Sequence, residues 1–356
     1  MIIKKEIFYS VISAVKSASN RKDAVYSNAM ITTGNNKLKI LASDGTAEIE
    51  ISTHYEGDAE RFCVNLEKLD SVLKNAPDNS DVVIDNAEKL TVKYGRSRFK
   101  LEKMSADDFP LMPVAAGDEY VIDGTELAKA IRTIEYAVAD NDVRHYLNGA
   151  FFDIVQNRIV ATDGHRLAYC GIKIDRPKVN TKEGFILPKK TIRKLSVLQS
   201  TEIKLTSSAN LATFTSGNVR VTAMLIDGKY PNYAAIVPTN LQYVAVNLGE
   251  LKSAINRVSS ITTDKFSGAM LSFSKGELEI KSNNNLNESA VDCIAFDDGG
   301  SNIVFEVGIN HHYLSDAINS IDDDIIQIGI TGDNNRPILI PASGGNDCHV
   351  IMPMRI

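Results

Sequence analysis

The chain has 356 residues, of which 44% are hydrophobic and 24% charged, with no tryptophan and a formal net charge of −6. This length exceeds one ordinary domain of about 100–200 residues, and the composition excludes collagen-like, disordered and coiled-coil classes. No apolar run is long enough for a membrane helix, and the start MIIKKEIF lacks the features of a signal peptide, so we expect a cytoplasmic protein.

The first predicted element is an amphipathic helix near the N-terminus. Phe8, Val11, Ile12 and Val15 are spaced as one apolar face of a helix. Downstream, LKILASDG predicts a strand that ends in a turn, and FCVNLEKLDSVL predicts a strand that runs into a second helix. The alternating segment LTVKYGRSRFKLEK then predicts a hairpin around Gly95.

The same order of elements recurs twice further along the chain. Helical stripes begin at Phe8, Leu127 and Leu251, and the second and third extend to Val138 and Ile261. Predicted strands end in turns at Asp44, Asp163 and Asn283. Segments that run from a strand into a helix begin at Phe62, Phe185 and Phe305. Each copy ends at an apolar or aromatic residue followed by proline, at Phe109-Pro110, Tyr230-Pro231 and Met352-Pro353. A period of about 120 residues suits a whole small domain. We predict an α+β fold of three repeated domains, residues 1–117, 118–242 and 243–356, each with two helices packed on antiparallel sheets.

Charge is distributed unevenly among these three domains. Residues 1–117 carry 16 basic and 17 acidic side chains, residues 118–242 carry 16 and 13, and residues 243–356 carry 7 and 15. Such asymmetry is compatible with drift between solvated faces, or with docking of the acidic last third against a basic surface.

Motifs of catalysis and of metal binding are absent from the sequence. There is no phosphate-binding GxxxxGK[ST] loop, no GxSxG elbow and no HExxH pair. The four cysteines lie far apart without a CxxC pair, which favours free thiols over a disulfide framework or structural zinc. Asp163 and His165 flank a glycine, and the equivalent Asp44-Gly45 in the first copy favours a turn over a catalytic pair. We therefore predict no catalytic residue, no metal and no cofactor.

A basic segment follows the strand at Phe185. Lys189, Lys190, Arg193 and Lys194 would share one helix face, opposite the apolar Ile192 and Leu195. No base-reading motif is visible, so the expected role is weak, salt-sensitive contact with phosphates, independent of sequence.

Seven motifs give the chain a resemblance to a known family. They are GRSRF (95–99), DFP (108–110), DVRHYLNG (142–149), ATDGHRLA (161–168), DGKYPNY (227–233), DKFSG (264–268) and MPMRI (352–356). In this order and spacing the chain resembles the bacterial DNA polymerase III beta subunit, the sliding clamp. The resemblance implies a non-enzymatic processivity factor with a clamp fold, in which two chains join head to tail into a six-domain ring around duplex DNA.

The resemblance also implies which residues contact DNA and which join the two chains. The DNA-binding positions would be Lys22, Asn141, His145, Tyr146, Lys189, Lys190 and Arg193. The dimer interface would bring Arg96, Arg98 and Phe99 of the first domain against Ser260, Ile261, Glu288 and Asp292 of the partner's third domain. This pairing would give the acidic last third its basic counterpart.

A third implied site is a pocket for peptide motifs of a DNA polymerase catalytic subunit, the clamp loader and repair proteins. Its positions would be Arg144, Tyr146, Leu147, Thr162, Gly164, His165, Arg166, Leu167, Pro231, Ile236, Asn310, Tyr313, Val350, Met352, Pro353, Met354 and Arg355. Leucine, methionine and proline side chains form an adaptable apolar groove that suits varied ligands.

The sequence departs from the family pattern in several places, and other functions remain open. Glu67 stands where the family has a basic residue, and His145 where an aromatic phenol is common. An enzyme with its cleft at residues 162–167 and 352–356 is one alternative. A clamp-like decoy from a mobile element, which binds replication proteins without supporting synthesis, is another.

Overall fold

The structure is a computed structural model, and it describes residues 1–175, 183–263, 267–284, 286–342 and 346–356. The first three residues of the DKFSG motif therefore lie outside the described residues. The described chain forms two compact units. The first contains Met1–Thr125, the short strand at 174–175 and Lys190–Leu225, and the second contains Glu126–Lys173, residues 183–189 and Ile226–Ile356.

The first third of the chain contains nine strands and two helices. The strands are β1 (Ile2–Lys4), β2 (Asn28–Gly34), β3 (Lys37–Ser43), β4 (Ala47–His54), β5 (Arg61–Asn65), β6 (Asp81–Asn86), β7 (Leu90–Tyr94), β8 (Ser97–Leu101) and β9 (Lys103–Met104). The helices are α1 (Lys5–Val15) and α2 (Leu66–Lys74). The predicted stripe of Phe8, Val11, Ile12 and Val15 is the buried face of α1, and β7 and β8 form the predicted hairpin around Gly95.

The described residues of the middle third repeat this arrangement. The strands are β10 (Asp118–Asp123), β11 (Gly149–Asp153), β12 (Arg158–Thr162), β13 (Arg166–Gly171), β14 (Ile174–Asp175), β15 (Gly184–Pro188), β16 (Glu202–Ser207), β17 (Leu211–Ser216) and β18 (Val219–Met224). The helices are α3 (Gly124–Ile134) and α4 (Lys189–Lys194). The predicted stripe extended to Val138, but α3 ends at Ile134 and a short 3₁₀ turn at Glu135–Ala137 precedes Val138.

The described part of the last third again contains two helices. The strands are β19 (Gln242–Asn247), β20 (Gly268–Ser274), β21 (Glu277–Asn283), β22 (Ser289–Asp297), β23 (Phe305–Asn310), β24 (Ile325–Ile330), β25 (Ile338–Ala342) and β26 (Asp347–Ile351). The helices are α5 (Leu248–Ser259) and α6 (His311–Asn319). Leu251, Ala254, Ile255 and Val258 form the buried face of α5, whereas Ile261 lies beyond its end.

Asparagine side chains cap the N-termini of three helices, α2, α5 and α6. Asn65 accepts a hydrogen bond from the backbone of Lys68 at 3.1 Å, and Asn247 accepts one from Glu250 at 2.9 Å. Asn310 likewise accepts from the backbone of His312 at 2.9 Å. A side-chain oxygen at this position pairs an otherwise unpaired N–H of the first helical turn, so each strand passes directly into a helix.

Three sheets with antiparallel strand pairing organise the described residues. The first unit contains a sheet with the order β1-β6-β7-β8 and a ten-stranded sheet with the order β14-β10-β16-β17-β18-β4-β3-β2-β5-β9. The second unit contains a twelve-stranded sheet with the order β15-β11-β12-β13-β26-β25-β24-β19-β22-β21-β20-β23. Strands of the middle third thus pair with the first third through β18 and β4, and with the last third through β13 and β26.

No helix in the described ranges is long and apolar enough to cross a membrane.

Candidate functional site

The centre of the predicted pocket is the turn between β12 and β13 in the second unit. The Thr162 hydroxyl donates to the Arg166 carbonyl at 2.6 Å and accepts from the Gly164 N–H at 3.1 Å. Asp163 Oδ1 accepts from the N–H groups of His165 at 2.9 Å and Arg166 at 3.1 Å. Gly164 has φ +92°, a conformation that favours glycine. The turn therefore fixes His165 and Arg166 at the start of β13.

Arg166 is held on several sides. Its Nε donates to Asp163 Oδ2 at 2.9 Å, and its Nη1 pairs with Asp316 of α6. Its guanidinium carbon lies 4.6 Å from the ring centroid of Tyr313 and 5.0 Å from that of Tyr136. Burial alone would lower the pKa of Arg166, but the bond to Asp316 and the two carboxylates raise this pKa above its usual value. Arg166 therefore stays charged, and its side chain is held in one position by these contacts.

Arg144 covers the outside of the same turn. Its Nε and Nη2 donate to the two oxygens of Asp142 at 3.0 and 2.8 Å, and Nη2 also donates to the Asp163 carbonyl at 3.0 Å. The bond from Arg144 lowers the pKa of Asp142 to about 2. A Cβ on Gly164 would lie 3.0 Å from two Arg144 nitrogens, so the glycine also gives the guanidinium its space.

The C-terminal tail continues beyond β26 and runs along this turn. The Met352 N–H donates to the His165 carbonyl at 2.9 Å, and the Met354 N–H donates to the Gly308 carbonyl of β23 at 2.8 Å. A Cβ on Gly308 would lie 2.5 Å from the Met354 carbonyl oxygen and 2.8 Å from Ile356 Cδ1. The tail is thus fixed by main-chain bonds to the turn and to β23, with Met352 beside the turn and Met354 beside β23.

Apolar and aromatic side chains complete the predicted pocket. The rings of His165 and Tyr313 stack with centroids 6.0 Å apart and an interplanar angle of 19°. Leu147, Leu167 and Val350 belong to one buried apolar cluster, and Tyr313 packs against a second cluster. The structure therefore brings together the predicted residues of the β12–β13 turn, of β26 and its tail, and of α6.

The remaining predicted pocket residues lie further out. Asn310 caps α6, and Tyr146 is half-buried against the first of these apolar clusters. Pro231 lines a neighbouring cavity of about 290 Å³, while Ile236 and Arg355 are exposed.

Sequence reasoning missed the side chains that hold the two arginines. Asp142 and Asp163 lie two and three residues before their arginines, a local spacing that could have indicated them. Asp316 and Tyr136 come from α6 and from the turn after α3, and no local pattern links them to Arg166.

Basic side chains line a groove in the first unit. Lys22, Lys190 and Arg193, three of the predicted DNA-binding residues, surround a groove of about 580 Å³ together with Arg21 and Lys194. The side chains of Lys22, Lys190 and Arg193 are exposed. Cations on a concave surface attract phosphates without reading bases.

The prediction that Lys194 belongs to an exposed basic face of α4 is wrong. This side chain is only 4% exposed and forms an ion pair with Asp44. Burial would raise the pKa of Asp44, but the bonds from Lys194 and Thr46 outweigh it and lower this pKa below its usual value. Lys189 is also engaged, because its Nζ donates to the Val138 carbonyl at 3.0 Å.

Glu67 of α2 pairs with basic side chains that follow α1. Its carboxylate lies 2.8 Å from Arg21 Nε and 3.3 Å from Lys16 Nζ. Lys16 Nζ also binds Asp70 at 2.6 Å. Cations that flank α1 are therefore paired with acidic side chains of α2.

The other predicted DNA-binding residues lie in the second unit. Asn141, His145 and Tyr146 belong to the connection between α3 and β11, where Asn141 has φ +55° and both Asn141 and His145 are exposed. Lys189 begins α4 beside this connection. Three of the seven predicted residues thus belong to the first unit and four to the second.

The predicted interface residues lie on the β7–β8 hairpin in the first unit, and after α5 and around the start of β22 in the second. Arg96 and Arg98 are exposed at the β7–β8 hairpin, where the Phe99 ring packs 5.4 Å from that of Tyr94. Ser260 and Ile261 follow α5 directly. Asp292 pairs with Arg257 and Glu288 accepts from Asn284, so neither carboxylate lacks a partner within the chain.

Three of the four cysteines are buried, and Cys293 is exposed. Cys63, Cys170 and Cys348 are buried, and burial raises the pKa of each to about 12, so these thiols stay protonated. Within the described ranges, no three His, Cys, Asp or Glu side chains are close enough to hold a metal ion.

Comparison with known proteins identifies the family. Models of the N-terminal, central and C-terminal domains of the DNA polymerase III beta subunit match residues 1–113, 121–232 and 234–355. The beta sliding clamp of Pseudomonas aeruginosa is 30% identical over 99% of both chains. Two solved clamps bound to griselimycin each cover 100% of this chain and 99% of theirs. The clamp from Bartonella birtlesii has a TM-score of 0.94 at 26% identity, and that from Pseudomonas aeruginosa 0.91 at 28%.

These matches cover the three repeats in order, and the predicted clamp fold of three domains is confirmed. The matched relatives are beta sliding clamps, which supports the processivity factor among the functional alternatives. The chain belongs to the DNA polymerase III beta subunit family, the beta sliding clamps, which are non-catalytic processivity factors of DNA polymerase III.

Proposed function

We propose that two copies of this chain join head to tail into a ring that encloses duplex DNA in the cytoplasm. In each copy the clamp domains are residues 1–117, 118–242 and 243–356. A closed head-to-tail contact generates a ring, and a ring holds DNA by enclosure rather than by tight binding. The proposed ring then tethers replication proteins through the pocket beside the C-terminal tail.

Two open strand edges of opposite charge carry the proposal for the ring. In the described residues, β8 ends its sheet with β7 as its one neighbour, and it presents Arg98 and Lys100. The first half of β22 pairs with β21 on one side, whereas β19 reaches only its last two residues, Phe296 and Asp297. An unpaired edge accepts another strand readily. Addition of β8 to β22 would place Arg98 near Asp292.

Charge reversal on β8 tests the ring. The double variant Arg96→Glu/Arg98→Glu should sediment as a monomer, since it would oppose like charges across the edge. It should also be lost from circular plasmid DNA loaded with clamp loader, whereas the unmodified ring should be lost only after the plasmid is cut. Lys37→Glu/Lys39→Glu, on β3, is the matched control and should remain a dimer. A dimeric Arg96→Glu/Arg98→Glu variant would contradict the proposed pairing.

Contact with DNA is proposed to be weak and independent of sequence. Lys22, Lys190 and Arg193 would supply it in the first unit, where their exposed side chains line one groove. Asn141, His145, Tyr146 and Lys189 would supply it in the second. Phosphate contacts of this kind weaken as the salt concentration rises. Because they are weak and the same at every sequence, they allow the ring to slide along the DNA.

The pocket is proposed to bind peptide motifs of a polymerase catalytic subunit, the clamp loader and repair proteins. Its support is the combination of a fixed polar turn, a half-exposed aromatic wall and a tail with Met354 39% exposed. Methionine adapts to ligands of different shape. Because two related clamps bind griselimycin, this compound is a suitable probe of the pocket here.

Titration with fluorescently labelled griselimycin tests the pocket. His165→Ala and Met354→Ala should each weaken binding about 10-fold, as expected for central apolar contacts. Val304→Ala, which truncates an exposed side chain outside the proposed pocket, is the control and should bind normally. Equal affinity in all three variants would show that the compound binds elsewhere.

A further inference from the structure

Arg166 is fixed from behind by a pair of residues outside the proposed pocket. The inference rests on the proposed function of that pocket. The Tyr136 hydroxyl and His349 Nδ1 lie 2.7 Å apart, a hydrogen bond between the turn after α3 and β26. The two rings are tilted by 33° with centroids 5.8 Å apart. Because Tyr136 also contacts the Arg166 guanidinium, the three side chains form one continuous chain of contacts.

Packing alone does not account for a histidine at this position. His349 is fully buried, and its Nε2 has no hydrogen-bond partner among the described residues. A buried polar atom without a partner is unfavourable, and a phenylalanine would fill similar space without it. The feature that a phenylalanine would not reproduce is the bond between Nδ1 and the Tyr136 hydroxyl.

That bond has a direct consequence for Arg166. Tyr136 contacts the guanidinium through its ring and meets His349 through its hydroxyl, so the hydrogen bond fixes how the ring is presented. On the far side, Arg166 contacts Tyr313, whose ring stacks on His165. A cation is attracted to an aromatic ring only when it lies over the face, so the position of one ring affects the position of the next group.

We propose that Tyr136 and His349 are positioning residues of the partner-peptide pocket. Their hydrogen bond holds the Tyr136 ring against Arg166, and Arg166 in turn holds Tyr313 and His165 in the arrangement that receives a ligand. The pair acts before any ligand arrives. It reduces the conformational freedom that binding would otherwise have to remove.

Phenylalanine substitutions separate this role from a purely structural one. Tyr136→Phe and His349→Phe each leave one polar partner buried and unpaired, so each should lower the urea midpoint and weaken griselimycin binding. The double variant removes both partners, and its urea midpoint should recover towards that of the unmodified protein. Its griselimycin affinity should remain about 3- to 10-fold weaker, because the ring is no longer fixed. Recovery of both quantities in the double variant would overturn the proposal.

An Arg166→Lys background provides the second test. Lysine keeps the charge but lacks the planar group that packs on the tyrosine rings. If Tyr136 acts through Arg166, adding Tyr136→Phe to Arg166→Lys should change griselimycin affinity by less than about 2-fold. An effect as large as in the unmodified background would refute the proposed route. Failure of the unmodified protein to bind griselimycin would instead overturn the proposed pocket, and this inference with it.

Discussion

The turn at Asp44 in the first unit and the turn at Asp163 in the second have the same internal bonding. In both, Oδ1 accepts from two following main-chain N–H groups, at 2.9 and 2.9 Å for Asp44 and at 2.9 and 3.1 Å for Asp163. Both are followed by a glycine with positive φ, Gly45 at +84° and Gly164 at +92°. The repeat thus preserves the chemistry that forms the turn.

The second carboxylate oxygen is where the two turns differ. Oδ2 of Asp44 pairs with Lys194, which is buried and lies 150 residues away. Oδ2 of Asp163 pairs with Arg166, three residues away, and Arg166 has Asp316 as a second carboxylate partner. One copy of the turn therefore anchors α4 at the groove through a single buried ion pair. The other holds Arg166 of the proposed pocket through a network with a second carboxylate.

The largest expected difference between the turns concerns stability. Asp44→Asn leaves the buried Lys194 charge without its carboxylate and should destabilise the protein by about 3–5 kcal/mol. Asp163→Asn leaves Arg166 paired with Asp316 and should cost about 1–2 kcal/mol. Urea unfolding followed by circular dichroism measures both. Equal losses would remove the distinction between a single pair and a network.

A double variant is the control for the first turn. Asp44→Asn/Lys194→Met removes both charges, and replacing a buried ion pair by apolar groups is often neutral. Its urea midpoint should therefore exceed that of Asp44→Asn alone. A double variant as unstable as the single one would show that the charge of Lys194 is not the cause.

As the pH falls, the second unit should begin to lose stability at a higher pH than the first. Burial lowers the pKa of His349 to about 4 from a usual 6.5, so the stability it contributes is complete above pH 6.5 and is lost as the pH falls towards 4. The slope is at most about 1.4 kcal/mol per pH unit. The pKa of Asp44 is lowered from a usual 3.8, so its contribution persists until the pH falls below that value.

Urea midpoints measured between pH 7 and pH 4 test this order. His349→Phe should flatten the dependence on pH in that range, although His311, whose pKa is also lowered to about 4 by burial, should leave part of the slope. Asp44→Asn should not change the slope above pH 5. An unchanged slope in His349→Phe would contradict the assigned cause.

The smallest expected effect concerns the groove beside the first turn. Lys190→Ala/Arg193→Ala removes two exposed cations while the Lys194–Asp44 pair that anchors α4 remains. DNA affinity should fall, and the slope of log affinity against log salt should decrease by about 0.9 per lost phosphate contact. Fluorescence anisotropy on a short duplex measures the slope, and griselimycin affinity should stay unchanged. A lost peptide site would indicate general damage to the chain.

The amino-acid sequence was sufficient to predict the threefold repeat, the buried faces of α1 and α5, the hairpin around Gly95 and the turns at Asp44 and Asp163. The repeat shows as a period of about 120 residues. The other features depend on residues within one turn or one strand of each other, where side-chain spacing dictates burial. The burial of Lys194, which removes it from the predicted basic face, and the contact of Tyr136 with His349 are known only from the folded structure. Their partners lie 150 and 213 residues away, so the contacts exist only once the sheets have brought distant strands together.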